Sequence, residues 1–125
     1  MAEILEGNRQ MEDMRFQVLW RDKITAEVEI KENKAHIKKY DNNPIRCLFP
    51  YEETDSYHVA EILEGRCWPR NRDNIDDLLK ACGLKSYDVM GIIKVTHGRM
   101  YNDQVWIRFE GEELSYNDFS LRKGW

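Results

Sequence analysis

Between Arg15 and Tyr40 the chain repeats every second residue, and no other feature limits its fold so tightly. Phe16, Val18 and Trp20 alternate with Gln17 and Leu19. Ile24, Ala26, Val28 and Ile30 alternate with Thr25, Glu27 and Glu29, and the run Ala35-His36-Ile37-Lys38-Lys39-Tyr40 continues the pattern. A period of two sorts side chains onto opposite faces of a strand. Asp22-Lys23 and Lys31-Glu32-Asn33-Lys34 supply the polar turns between runs. The expected outcome is a three-stranded antiparallel meander with one face on the core and one in water.

The periodicity then changes. Residues 41–55, with Pro44, Pro50 and Asp41-Asn42-Asn43, read as a loop. Asp55 or Ser56 can cap a helix through His58–Leu63 that Gly65 ends. A second helix is expected from Asp73 to Cys82, with Ile75, Leu78 and Leu79 at helical spacing and Gly83 as its stop. A third is expected from Tyr87 to Val95, built on Val89, Met90, Ile92 and Ile93. Gln104 to Phe109 reads as a strand, and Ser115 as the start of a last helical turn. The fold class is therefore α+β: an N-terminal meander, two to three short central helices and a C-terminal strand.

One domain over residues 14–125 suits 125 residues, with 1–13 as an extension outside the core. Within that extension Ala2-Glu3-Ile4-Leu5-Glu6-Gly7 is repeated as Ala60-Glu61-Ile62-Leu63-Glu64-Gly65, and Met11 and Met14 both fit as alternative starts. One repetition of so short a unit does not make a repeat architecture.

With 42% hydrophobic and 34% charged residues the chain has the composition of a soluble globular protein. It holds no apolar run near the ~18 residues of a membrane span, and its acidic N-terminus is unlike a signal peptide, so a cytoplasmic location is expected. Cys47, Cys67 and Cys82 are odd in number without C-x-x-C spacing, which favours reduced thiols. Cys47, His58 and Cys67 lack the paired spacing of zinc ligands, so no metal or cofactor is expected. Glu3, Glu6, Glu12 and Asp13 against Arg9 give residues 1–13 a net −3 of the total −4. The near-neutral remainder does not favour nucleic acid as partner, a local basic patch aside.

Two stretches are candidates for binding. Arg66, Arg70 and Arg72 surround Trp68 and Pro69. Guanidinium forks match phosphate or carboxylate, and the indole can stack a base or a cation. The same arginines can instead pair with Asp73, Asp76 and Asp77 just downstream, with Trp68 in the core. In the second stretch, His97, Arg99 and Tyr101 can line a small anion or substrate pocket, His97 being the one acid–base candidate, while Gly98 supplies a helix stop. Trp20 and Trp106 sit in apolar patterns expected in the core, and Trp125, after Gly124, is expected to be exposed. Glu110, Glu112, Glu113 and Asp118 form an acidic tail that is either a solvated face or, with the acidic N-terminus, a nucleic-acid-mimicking surface. The Gly-rich phosphate loop, G-x-S-x-G, H-E-x-x-H and the kinase motifs are all missing.

Taken together, Arg66, Pro69 and Arg72, then Leu78-Leu79 and Gly83-Leu84, then Asn102-Asp103-Gln104-Val105-Trp106-Ile107 and Glu113-Leu114-Ser115-Tyr116-Asn117-Asp118, resemble the small region before the kinase domain in HipA-like proteins of Gram-positive bacteria. The Phe16–Tyr40 meander fits the opening of such regions, so the resemblance spans roughly residues 14–120. It implies a docking or regulatory module without kinase activity, since the kinase portion is missing. The expectation is a non-enzymatic module that binds and modulates a larger bacterial protein, in a toxin–antitoxin or mobile-element setting. The alternatives are an anti-CRISPR-type inhibitor of a host defence nuclease and a small enzyme using His97.

Overall fold

The computed structural model describes residues 11–100 and 103–118. The elements run β1 (Met14–Trp20), β2 (Lys23–Lys31), β3 (Lys34–Lys39), β4 (Glu53–Asp55), α1 (Ser56–Glu64), α2 (Ile75–Ala81), α3 (Val89–Thr96) and β5 (Val105–Phe109), followed by a 3₁₀ turn at Tyr116–Asp118. The strands form one antiparallel sheet in the order β4-β3-β2-β1-β5. The fold is α+β, as the periodicities predict.

Both meander turns are two residues long. Glu32 and Asn33 take φ of 50° and 66°, the left-handed pair that matches the twist of a tight hairpin. Along the inner face Phe16, Val18, Ala26, Val28, Ile30, Ala35 and Ile37 are buried. They pack against Val59, Ala60 and Leu63 of α1 and Ile93 of α3, with Val105 and Ile107 of β5 completing the layer. Met11 joins the same core, and Asp13 accepts the Glu32 amide at 2.9 Å. Residues 1–10 of the expected extension, with the first copy of the repeated hexapeptide, lie outside the described residues, as do Tyr101 and Trp125. The second copy of the hexapeptide forms most of α1 and its Gly65 cap.

The meander departs from strict alternation once. Val18 pairs with Ala26 and Leu19 with Ile24, which leaves Thr25 without a partner on β1. This bulge turns Ile24 away from Ala26, Val28 and Ile30 and places it beside Leu19. Leu19 also faces Trp106 across β5, so an apolar patch sits on the outward face, where Leu19 and Trp106 are nonetheless fully buried. Trp106 is thus buried as expected, but behind the sheet. Its Nε1 donates to the Arg21 carbonyl at 2.6 Å. The surplus Thr25 is buried, its hydroxyl donating to the Val18 and Arg46 carbonyls at 3.2 and 2.9 Å.

The other departures are local. Glu53–Asp55, expected as loop, adds a fourth strand too short to show periodicity. α2 begins at Ile75 because Arg72 and Ile75 close turns onto the Pro69 and Arg72 carbonyls. α3 begins at Val89 and ends at Thr96; its cap, His97, is already left-handed at φ 56°, one residue before Gly98 at φ 68°. A Cβ at Gly98 would also come within 3.3 Å of Ile107 Cδ1, so glycine serves close packing against β5 as much as the turn.

Asp55 ends β4 and caps α1, accepting the His58 amide at 3.0 Å. That amide bond, helped by the His58 ring and opposed by partial burial, lowers the carboxyl below its ordinary value. A lowered carboxyl stabilises the fold above the usual aspartate range, and the benefit disappears as pH falls through the depressed value. Asp55→Ala should cost about 1 kcal/mol in urea unfolding at pH 7. The gap between variant and wild type should narrow on acidification below about pH 4.

Candidate functional site

Arg66 joins the two stretches singled out from the sequence. Its side chain is 9% exposed, and its donors are directed inward. Nε donates to the Gly98 carbonyl at 3.0 Å, Nη1 and Nη2 form a fork onto Asp103 at 2.6 and 2.8 Å, and Nη2 also reaches the Val105 carbonyl at 3.1 Å. Four bonds and one compensating carboxylate leave little of this guanidinium for a ligand.

Around it, β5 is sealed along its outer edge. Register pairs on β1 use one side of the strand, and the amides of Val105, Ile107 and Phe109 face the other. Asp103 Oδ1 accepts from Val105 at 3.2 Å, the His97 carbonyl from Ile107 at 2.7 Å and Glu112 Oε1 from Phe109 at 2.7 Å. Glu112 Oε2 lies 2.9 Å from His97 Nε2, tying the acidic tail to the helix end. Arg99 is 6% exposed, donates to the Asp103 carbonyl at 2.9 Å and lies with its guanidinium 4.9 Å from the centre of the Tyr116 ring. Tyr101, the third member expected for a pocket there, lies outside the described residues.

The remaining members of the arginine loop are placed apart from this cluster. Arg70 is 3.6 Å from Glu64 and stacks over Tyr87 at 4.1 Å, while Arg72 Nε donates to Asn74 at 2.9 Å. Neither they nor Arg66 pair with Asp73, Asp76 or Asp77, the partners suggested by proximity in the chain; Arg66 finds its carboxylate 37 residues away. Trp68 is half-buried, and its carbonyl accepts the Tyr87 hydroxyl at 2.7 Å. Between these groups the Cys67 thiol is directed toward the Leu63 and Val89 carbonyls at 3.6 and 3.8 Å. Burial above all, and then the Glu64 carboxylate, pushes it up to about 12. Tyr87 is raised to about 12 as well, again mainly by burial. Among the described residues no group of three His, Cys, Asp or Glu is placed to hold a metal.

A further accessible surface is the outward face of the sheet, the wet face that strand alternation predicts. One row crosses β1 to β4 and is continued by the residue after β5: Glu110, Arg15, Glu29, His36 and Glu53, each beside the next. Arg15 is 2.7 Å from Glu29 and 3.9 Å from Glu110, and His36 is 3.0 Å from Glu53. A second row runs Arg108, Gln17, Glu27, Lys38, with Arg108 Nε bonded to Gln17 at 2.9 Å. The Tyr40 hydroxyl on Glu27 is the main reason that this carboxyl is lowered. These rows, Glu53 excepted, line an open groove of about 560 Å³, walled at one end by the turn at Gly111 and Glu112. The alternation of the strands did announce this face; what it could not announce is which charges become neighbours.

No family model, curated protein or solved structure matches the chain. Among the described residues no helix is long and apolar enough to cross a membrane.

Removing Arg66 leaves Asp103 in a partly buried site without its cation. Arg66→Ala should lower unfolding stability by about 3 kcal/mol, the lower end for breaking a buried pair. Arg72→Ala, on an exposed hydrogen bond, should stay within about 0.5 kcal/mol. A raised thiol means that the folded state keeps its proton after the unfolded state has lost it. Stability should therefore decline as pH rises from the ordinary thiol range through about 12, and Cys67→Ser should flatten that decline in denaturation curves.

Proposed function

We propose that this chain is a non-enzymatic binding module that modulates a larger bacterial protein in a toxin–antitoxin or mobile-element system, acting in the cytoplasm. The resemblance to the region before the kinase domain of HipA-like proteins motivates the setting. The observation that carries the reading is the outward sheet face, where Arg15 lies between Glu29 and Glu110 and Lys38 pairs across the strands with Glu27, along an open groove. Such a pattern matches a protein surface of complementary alternation, where charge selects partner and register more than it adds affinity. It suits a polyanion poorly, because carboxylates interrupt every line of cations.

The groups that acid–base chemistry would need are already engaged. His97 supports β5 and pairs with Glu112, and Cys67 is held as a thiol. Contact by the arginine loop then falls to Arg70 and Arg72 at its exposed end, with Arg66, His97 and Arg99 holding the frame beneath.

Affinity capture from a lysate of the source bacterium tests this, with wild type set against Arg15→Glu/Lys38→Glu. Both side chains are exposed, and the reversals set carboxylates opposite Glu29 and Glu27, so urea unfolding should show a loss of about 1–2 kcal/mol with the fold retained. One dominant protein, retained after nuclease treatment and reduced at least tenfold by the charge reversals, is expected. Equal capture by both forms would remove the sheet face from the interface, and capture of nothing by wild type would defeat the binding reading.

A further inference from the structure

The two edges of the sheet are treated differently. All three outward amides of β5 are occupied by Asp103, the His97 carbonyl and Glu112. At the opposite edge, Ile37 donates to the Glu52 carbonyl at 2.7 Å and Ser56 to the Asn33 carbonyl at 2.9 Å, on either side of the Ala35–Thr54 pair. Antiparallel geometry then directs the backbone of Glu52, Thr54 and Ser56 toward β3, and that of Glu53 and Asp55 outward. Among the described residues no hydrogen bond reaches the amide or carbonyl of Glu53 or the amide of Asp55 from that outer side. Protein edges are commonly covered, as β5 is.

Two further features mark this edge. Tyr51 and Tyr57, 41% and 42% exposed, flank it with their rings 5.8 and 5.7 Å from the His58 ring, which gives apolar contact beside the open backbone. The charge row also ends here, with Glu53 as its last member and 73% exposed. Glu52 and Asp55 are exposed beside it. A second copy of β4 would set carboxylate against carboxylate, which cross-strand pairing disfavours, whereas a cation opposite the exposed Glu53 would be favoured.

We propose that β4 is a docking edge, to which an extended lysine- or arginine-bearing segment of a larger protein adds as a sixth strand with its cation opposite Glu53. This rests on the binding-module reading and specifies the site and the chemistry of the segment. Main-chain bonds supply the attachment, and the Glu53 pairing with the tyrosine contacts sets register.

Amide hydrogen exchange of the full chain, titrated with a seven-residue peptide of alternating valine and threonine around a central lysine, tests it. The same peptide with central glutamate is the control. At saturation the lysine peptide should slow exchange at Glu53 and Asp55 at least tenfold and leave Val105, Ile107 and Phe109 unchanged. The glutamate peptide should bind at least about threefold more weakly, and Glu53→Lys should reverse the preference. Glu53→Pro removes the outward amide at a position where an edge tolerates proline, and should abolish the protection. No binding of the lysine peptide at millimolar concentration, binding without protection at Glu53 and Asp55, or equal affinity for both peptides would overturn the proposal. So would undiminished capture of the cellular partner by Glu53→Pro, an outcome that leaves the binding-module reading standing; failure of wild type to capture anything defeats that reading itself.

Discussion

The fork between Arg66 and Asp103 is the interaction on which this architecture turns. A short C-terminal strand can pair with β1 on one side, but its other side would expose a row of amides. Arg66, at the exit of α1, holds Asp103 where one carboxylate oxygen both accepts the guanidinium and covers the Val105 amide. It also fixes the Gly98 carbonyl, which keeps the left-handed turn at His97 in place to receive Ile107. One cation therefore connects the helical layer, the turn after α3 and the entrance to β5.

This arrangement changes what the sequence candidates are for. Arg66, His97 and Arg99 are the residue types of an anion or acid–base site, and they do converge in space. They converge on protein carbonyls, carboxylates and an aromatic ring. Charged side chains used in this way orient backbone and tail, and the acidic close of the chain becomes part of the same frame through Glu112. For the proposed binding function, the surface left for recognition is then the outward sheet face, the exposed end of the arginine loop and the β4 edge.

The legible parts of the fold were those governed by local rules. The hairpin at Glu32-Asn33, the cap at Asp55 and the stops at Gly65 and Gly83 follow from a few neighbouring residues, so their signals lie within short windows. The first turn falls at Arg21-Asp22, one residue before the expected Asp22-Lys23. The bulge at Thr25 was not legible, because polar threonine between apolar neighbours reads as an ordinary outward position. Only its hydroxyl bonds to Val18 and Arg46 make burial tolerable there. β4 was hidden for a different reason: Glu-Thr-Asp has no strand character until Ala35 pairs with Thr54.

By itself, the sequence determined the meander, the presence of two to three central helices, the α+β class and the apolar set that forms the inner core, since these depend on periodicity and burial of apolar surface. Tertiary structure alone decided the order β4-β3-β2-β1-β5 and the partner of each charge. Proximity along the chain favoured Asp73, Asp76 and Asp77 for the arginines, yet those carboxylates lie at the solvated start of α2. Arg66 is committed in a partly buried position, where desolvation penalises any guanidinium without a well-aligned carboxylate, and folding brought Asp103 to it from 37 residues away.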